Sequence, residues 1–244
     1  MQRLTPDPGP TTVADQLDGY RPWSDPPEGR PFVAMNFAAT VDGRAAMEGV
    51  SGPIGSSTDT AMLAALRTRF DAVMIGAGTM RAERYGQMAT KEETRALREG
   101  LGLSPRPLIV IVSGRLDLPW EAPLFTSGGG EVLILTANTE AEAPATETPV
   151  RVVRHEGGVD LAAALLALRQ EQGVRALLCE GGPRLHAQLQ AGGLVDDLFL
   201  TTAPKLSGGG APRIVEGELP EPLDLDLAWL LESDGELFAR YRRR

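Results

Sequence analysis

The sequence ALLCEGGPRL, Ala176–Leu185, changes from strand to helix character within a few residues. An apolar run ends at Glu180, two glycines follow, and Pro183 opens a pattern with leucines at 185 and 189. Proline is tolerated in the first turn of a helix because its missing N–H would have no intrahelical partner. Glycines let the backbone approach a ligand, and a helix N-terminus attracts phosphate. The stretch predicts a ligand-binding strand–loop–helix unit; a tight turn with an exposed Glu180 is the simpler alternative.

Composition limits the possible functions. The chain has 244 residues, enough for one large domain or two small ones, and a net charge of −9. This charge argues against a general affinity for nucleic acid or acidic membranes. One cysteine, Cys179, and two histidines exclude an intrachain disulfide and a multi-Cys/His zinc site, so we expect no metal. With no signal-peptide core and no apolar run of bilayer length, we expect a cytoplasmic protein.

Apolar runs that predict strands alternate along the chain with amphipathic patterns that predict helices. The predicted strands are 31–40, 71–76, 107–112, 131–136, 150–154, 176–179 and 197–203, followed by a hairpin of 225–233 and 236–243 around Asp234-Gly235. The predicted helices are 57 to about 69, 91–100, 160–172 and one that begins at Pro183. This order predicts an α/β fold of three layers, with a mainly parallel central sheet and an antiparallel edge.

The N-terminal residues differ in composition from the rest of the chain. Residues 1–30 contain six prolines and predict an extended arm, with one short helix near 13–17. Residues 31–244 form the predicted domain. The arm carries no catalytic signal, and it could pack on the body or on a partner subunit.

Polar side chains follow several predicted strands at their carboxyl ends, where α/β sheets bind ligands. Thr40 and Asp42 lie at the end of the first strand, although these residues by themselves are better explained by a simple hairpin turn. The segment 76–79, GAGT, is a second glycine turn between a strand and a helix, without the spacing of a Rossmann fingerprint. Ser113 and Arg115 follow the third strand, where they could bind the 2′-phosphate of NADP.

Two arginines, Arg67 and Arg69, lie near the C-terminal end of the second predicted helix. Cations are favoured at a helix C-terminus, and solvation at the surface would explain both residues. An arginine that points into a ligand site could instead hold a substrate phosphate through paired hydrogen bonds.

Several stretches that occur in a fixed order resemble one family, the RibD C-terminal domain, which is the pyrimidine reductase of riboflavin biosynthesis. These stretches are Thr40–Gly43, Asp71–Val73 with Gly76–Thr79, Glu180–Gly182, and Val195–Asp197 with Ala203–Gly209. The resemblance covers about residues 31 to 243. The N-terminal arm and the segment Arg81–Gly86 are most similar to the stand-alone actinobacterial branch.

The resemblance implies a dihydrofolate-reductase-like fold, a homodimer and NADPH as cofactor. It implies reduction of the ribosyl group of 5-amino-6-(5-phosphoribosylamino)uracil to ribityl, by hydride transfer to ribose C1 in its open-chain imine form. A deaminase motif is absent, so the preceding deamination is not expected of this chain. The alternatives are a dihydrofolate reductase or other heterocycle reductase on the same fold, and a non-catalytic NADPH-binding protein.

The resemblance also implies which residues bind each ligand. Its NADPH contacts, taken with the glycine turns and the Ser113–Arg115 pair, are Ala38, Gly76, Gly78, Thr79, Glu83, Ser113, Arg115, Gly181, Gly182, Pro183, Arg184, Leu185 and His186. The substrate contacts are Asn36, Thr40, Asp42, Ser51, Arg67 and Glu180.

The proton donor stays open between three sources. Reduction of an imine needs a proton at its nitrogen, which Asp42, Glu180 or a bound water could deliver. The chain also departs from bifunctional members of the family: Asn36 replaces a lysine, Glu83 replaces an aspartate, and Arg84-Tyr85 replaces Asp-Pro. The loop after Thr79 is therefore expected to differ in shape.

Overall fold

The computed structural model describes all 244 residues, Met1–Arg244. The helices are α1 Val13–Leu17, α2 Ser57–Arg67, α3 Ala77–Glu83, α4 Glu92–Gly100, α5 Pro123–Thr126, α6 Leu161–Glu171 and α7 Pro183–Ala191. The strands are β1 Gln2–Thr5, β2 Gly9–Pro10, β3 Phe32–Thr40, β4 Ala72–Gly76, β5 Leu108–Ser113, β6 Val132–Thr136, β7 Val150–Arg154, β8 Ala176–Cys179, β9 Asp197–Ala203, β10 Leu225–Ser233 and β11 Glu236–Arg243.

The chain divides into two compact units. Unit 1 comprises residues 1–21, 33–66 and 183–244, and unit 2 comprises residues 22–32 and 67–182. None of the helices has both the length and the apolar character that a membrane crossing requires. No group of three or more His, Cys, Asp or Glu side chains is placed to hold a metal ion.

Unit 2 is built on a parallel sheet with the strand order β8-β4-β5-β6-β7. Every residue of β4, β6 and β8 is buried. Such continuous apolar runs are typical of strands that are covered on both faces. Asp160 caps helix α6: its Oδ1 accepts a hydrogen bond of 3.0 Å from the N–H of Ala163.

Unit 1 combines one parallel pair with an antiparallel ribbon. Its strand order is β2-β1-β10-β11-β9-β3, in which β3 and β9 are parallel and the other neighbours are antiparallel. The β10–β11 hairpin turns at Asp234 and Gly235, whose φ angles are 53° and 81°. Positive φ at both central residues suits the twist of a two-residue hairpin, and Asp-Gly adopts it readily.

The structure confirms the predicted α/β class, with parallel strands and an antiparallel edge. The predicted strands and the four main helices all form, with bounds that differ by two residues or fewer. The predicted short helix near 13–17 is α1, capped by the Thr12 hydroxyl. The sequence analysis missed β1, β2 and α5. Each is four residues or shorter, too short to show a period.

The first 21 residues pack within unit 1 and are more than an extended arm. Strand β1 pairs with β10. The Tyr20 hydroxyl donates a 2.8 Å hydrogen bond to Oδ2 of Asp197, and the guanidinium of Arg240 lies 4.4 Å from the centre of the Tyr20 ring. Arg240 also pairs with Asp197 at 2.8 Å. Because Tyr20 and Asp197 are buried and Arg240 is half-buried, we conclude that this contact holds the N-terminal residues on the body of unit 1.

Candidate active site

The sequence predicted glycine turns at 76–79 and 181–182. In the structure α3 begins at Ala77, directly after β4, so the first is a strand-to-helix junction; it packs against Gly181 and Gly182 in unit 2. The N–H of Gly76 donates a 2.7 Å hydrogen bond to the carbonyl of Gly181. A Cβ atom added to Gly76 would lie 2.9 Å from the Gly182 nitrogen, and one added to Gly182 would lie 2.7 Å from Oγ1 of Thr79. Any larger residue at these two positions would therefore push the turns apart. Residues 76, 79, 181 and 182 thus form one backbone-lined surface, which we call the glycine cradle.

Next to the glycine cradle, Glu180 forms an ion pair with Arg67, the last residue of α2. The Nε and Nη2 atoms of Arg67 lie 2.6 Å from Oε1 and Oε2 of Glu180 respectively. The Glu180 side chain is 2% exposed, whereas the Arg67 side chain is 28% exposed. This two-pronged geometry is the strongest form of such a pair. The simpler alternative, a tight turn with an exposed Glu180, is therefore wrong, because the Glu180 side chain faces the protein rather than solvent.

Tyr85 completes this cluster, and the sequence analysis gave it no role. Its hydroxyl interacts electrostatically with Glu180 and Arg67, and its ring centre lies 5.7 Å from the guanidinium carbon of Arg67. Burial and the neighbouring carboxylate of Glu180 raise the pKa of Tyr85 well above its usual range, so the hydroxyl stays protonated at neutral pH. One feature of the sequence could have drawn attention to Tyr85: Arg84-Tyr85 replaces the Asp-Pro of bifunctional family members.

A buried arginine, Arg98 of α4, supports the backbone of Arg67. Its Nη1 donates to the carbonyl oxygens of Arg67 and Phe70 at 2.7 and 2.8 Å, and its Nε donates to that of Ser104 at 2.8 Å. Burial lowers the pKa of Arg98 to about 10, so the side chain is still a cation at neutral pH. A cation at the end of α2 binds carbonyl groups that have no partner within the helix.

An exposed cation, Arg115, follows the carboxyl end of β5. Ser113 is buried, whereas the Arg115 side chain is exposed and has no partner. The carbonyl of Arg115 accepts a 3.1 Å hydrogen bond from the side-chain amide of Asn138, which holds the backbone at this point. Of the other residues predicted in unit 2, Gly78 and the half-buried Glu83 lie in α3.

In unit 1, Asp42 organises the loop after β9. Its carboxylate accepts hydrogen bonds from the Thr40 hydroxyl at 2.5 Å and from the N–H groups of Ser207 and Gly208 at 3.1 and 2.7 Å. The Thr40 hydroxyl, followed by these two N–H groups, lowers the pKa of Asp42 to about 2. Asp42 is therefore a carboxylate at neutral pH and is unsuited to donate a proton.

The remaining substrate candidates of unit 1 lie on β3 and on the loop after it. Asn36, Ala38 and Thr40 alternate along β3 and so share one face of the strand. The exposed Ser51 precedes a segment that Lys205 clamps, with its Nζ 2.7 and 2.8 Å from the carbonyl oxygens of Pro53 and Ile54. Sequence reasoning did not predict this role for Lys205, because nothing local connects the two loops.

The start of α7 presents backbone and one charged side chain. Arg184 is exposed and has no partner, and the carbonyl of Pro183 accepts a 3.1 Å hydrogen bond from Glu216. The side chain of Leu185 is buried.

The His186 ring stacks on Phe37 at 4.9 Å, with Nδ1 2.8 Å from the carbonyl of Ile214 and Nε2 3.0 Å from the Gln190 amide. Burial lowers the pKa of His186 to about 4, so the ring is neutral at physiological pH. Because both nitrogens have protein partners, only the backbone of His186 is available to a ligand.

The model of one protein family, described as the RibD C-terminal domain, matches residues 31–236. The chain belongs to the RibD C-terminal domain family. Within the family, the chain is 31% identical over 193 residues to the 2,5-diamino-6-ribosylamino-4(3H)-pyrimidinone 5′-phosphate reductase of Archaeoglobus fulgidus. The alignment covers 78% of this chain and 88% of that reductase.

Solved structures of a pyrimidine reductase-like protein and of a riboflavin biosynthesis reductase have the same fold. A pyrimidine reductase-like protein from Corynebacterium diphtheriae superposes with a TM-score of 0.79 at 25% identity, over 96% of this chain and 99% of that one. The riboflavin biosynthesis reductase of Saccharomyces cerevisiae superposes with a TM-score of 0.69 at 18% identity, over 95% and 99% of the two chains. The second comparison, at this low identity, supports the fold alone.

Proposed function

We propose that this chain is the NADPH-dependent reductase of riboflavin biosynthesis that converts the ribosyl group of 5-amino-6-(5-phosphoribosylamino)uracil to ribityl. Membership of the RibD C-terminal domain family and the named archaeal reductase support a pyrimidine reductase. The observation that carries the proposal is that Glu180, paired with the partly exposed Arg67, directly precedes the glycine cradle. A cation for a phosphorylated substrate thus adjoins a backbone surface suited to a nucleotide.

The residues of unit 2 fit NADPH, which when bound supplies a hydride. The glycine cradle offers backbone with no side chain in the way, as close approach to a pyrophosphate requires. Ser113 is the last residue of β5 and the unpartnered Arg115 follows it, and at this position they would hold the 2′-phosphate that distinguishes NADPH from NADH. The resemblance adds Ala38, Glu83 and the start of α7 to the same role.

The protein residues have separate tasks in this proposal. Arg67 binds the 5′-phosphate of the substrate through N–H groups that Glu180 leaves free. Asn36, Thr40 and Ser51 are substrate contacts by the family resemblance alone. Asp42 stays ionised and holds the Ser207–Gly208 loop in place. Reduction adds a hydride to ribose C1 and a proton to the adjacent imine nitrogen. Since Asp42 does not hold a proton at neutral pH, and since Arg67 occupies both carboxylate oxygens of the enclosed Glu180, we assign delivery of that proton to water.

The experiment that tests this function follows the loss of NADPH absorbance with purified protein. The substrates are the phosphoribosylamino-uracil, the corresponding 2,5-diamino-pyrimidinone and dihydrofolate. Rapid turnover of either pyrimidine, with little of dihydrofolate, would support the proposal and identify the preferred ring. The reverse preference would make the chain a dihydrofolate reductase. NADPH binding without turnover of any substrate would favour a non-catalytic NADPH-binding protein.

Two further properties implied by the resemblance are kept as proposals, namely a homodimer and a cytoplasmic location. Light scattering coupled to size-exclusion chromatography measures the molar mass in solution. A mass of one chain, 26.0 kDa, would contradict the dimer.

A further inference from the structure

We infer that Tyr85 and Glu180 are positioning residues, which hold the guanidinium of Arg67 in one orientation for the substrate phosphate, and that Glu180 is not the proton donor. This inference rests on the proposed function, and it deepens it by assigning roles to two residues. It also explains why this chain has a tyrosine in the loop after α3.

Of the two side chains in the ion pair, Arg67 is the one that can reach a ligand. Both carboxylate oxygens of Glu180 accept N–H groups of Arg67 at 2.6 Å, and its side chain is 2% exposed. The Arg67 side chain is 28% exposed, so the accessible member of the pair is the cation. An acid that must protonate a substrate has to contact it. The geometry therefore suits Glu180 as the support of Arg67 and Arg67 as the residue that meets the ligand.

The backbone around Tyr85 is held by hydrogen bonds to α3 and α5. Arg84 ends α3 in the left-handed conformation, with φ 48°, and its N–H donates to the carbonyl of Met80. The carbonyl of Tyr85 then accepts a 3.0 Å hydrogen bond from Leu124 in α5. The Gln87 amide donates to the carbonyl of Leu124 at 2.8 Å. The backbone of Tyr85 is thus fixed on α5, and this holds its side chain beside the Arg67 guanidinium.

The neighbours of Arg67 reduce the conformational entropy that its side chain would lose on binding a ligand. A free arginine side chain loses much rotamer entropy when it binds a phosphate. Here the Glu180 carboxylate accepts two hydrogen bonds from the guanidinium of Arg67, and Tyr85 packs beside it. Nη1 of Arg98 lies 2.7 Å from the carbonyl oxygen of Arg67 and donates to it. The orientation is established before the ligand arrives, so less affinity is lost on binding. Tyr85 and Glu180 are then expected to affect KM for a phosphorylated substrate, and to have little effect on kcat.

The experiment compares Tyr85→Phe and Glu180→Gln with the wild type on the phosphorylated pyrimidine and on its 5′-hydroxyl counterpart. We expect KM for the phosphorylated substrate to rise about fivefold in Tyr85→Phe and about tenfold or more in Glu180→Gln. The kcat values should stay within about threefold, with an unchanged pH profile, and KM for the 5′-hydroxyl compound should not change. Tyr241→Phe is the control, because Tyr241 is half-buried and its hydroxyl has no hydrogen-bond partner.

Two results would overturn the inference. A fall in kcat of about a hundredfold in Glu180→Gln on both substrates, with loss of one limb of the pH profile, would make Glu180 the proton donor. An unchanged KM in Tyr85→Phe would remove Tyr85 from the mechanism. The Tm of each variant shows whether it folds.

A binding measurement separates this inference from the proposed function. If the wild type reduces no pyrimidine, the proposed function fails, and calorimetry with ribose 5-phosphate still tests the positioning of Arg67. We expect saturable binding to the wild type and to Tyr241→Phe, and affinity about fivefold lower in Tyr85→Phe. Absence of binding to the wild type, or equal binding to Tyr85→Phe, would contradict the inference.

Discussion

Glu180 and Arg67 form an ion pair in which the acid is enclosed and the base is partly open, with side-chain exposures of 2% and 28%. The two residues are 113 positions apart in the chain, and both N–O distances are 2.6 Å. Because removal of the base leaves a buried carboxylate without its partner, the pair links the stability of unit 2 to a residue that we assign to substrate binding.

A double-mutant cycle measures this link. We expect Arg67→Ala and Glu180→Ala each to lower the free energy of unfolding by about 1–3 kcal/mol, a range reduced for the partial exposure of Arg67. The double variant should lose less than the sum, because no unpaired charge remains. Urea denaturation provides the values. The pair Arg244–Asp226, at 62% and 57% exposure, is the control and should show little coupling; additivity at Arg67 and Glu180 would contradict the interpretation.

Arg115 is expected to determine the choice between NADPH and NADH. Its side chain is exposed and unpartnered, so Arg115→Ala should leave the fold intact. We expect kcat/KM for NADPH to fall about 10–100-fold and that for NADH to stay unchanged, because only NADPH has the 2′-phosphate. Initial rates with both cofactors test this expectation. Arg244→Ala, at an exposed position, is the matched control; a parallel loss with both cofactors would place Arg115 elsewhere in the mechanism.

Arg98 is expected to be the arginine on which unit 2 depends most for stability. Arg98→Met removes the donors to the carbonyl groups of Arg67, Phe70 and Ser104. We expect a loss of about 2–4 kcal/mol in the free energy of unfolding, since hydrogen bonds from a buried cation are lost. Arg95→Met, on the same helix and half-buried, should change it far less. Equal losses in the two variants would show that Arg98 has no special role.

The ionisation of Asp42 leads to a prediction about pH. Its pKa is lowered from 3.8 to about 2, so its contribution to stability is fully present above pH 4 and is lost as the pH falls through about 2. The wild type should therefore have a higher Tm than Asp42→Asn. This difference in Tm should be constant from about pH 5 to about pH 8 and should shrink in stronger acid.

The same residue provides a second check through kinetics. Because Asp42 does not hold a proton near neutrality, Asp42→Asn should keep the shape of the pH profile of kcat. If one limb of that profile disappeared in the variant, Asp42 would be the proton donor and the assignment to water would be wrong.

Much of the fold could be predicted because its signals are local. The bounds of β7, β8 and β9 were predicted to the residue, since apolar runs and flanking turn residues define them. The Asp234-Gly235 turn is equally local. The pairing of β1 with β10 could not be predicted, because β1 has four residues and its partner lies more than 200 positions away.

The sequence by itself determined the order of strands and helices, the family and the two glycine turns, because periodicity, turn chemistry and motif order act over a few residues. The tertiary structure alone decided the partners of the charged groups. It placed Arg67 on Glu180, Tyr85 beside both, and Asp42 on the Ser207–Gly208 loop. The partner and the pKa of a charged side chain depend on what packs around it, and residues far apart in the chain supply those neighbours.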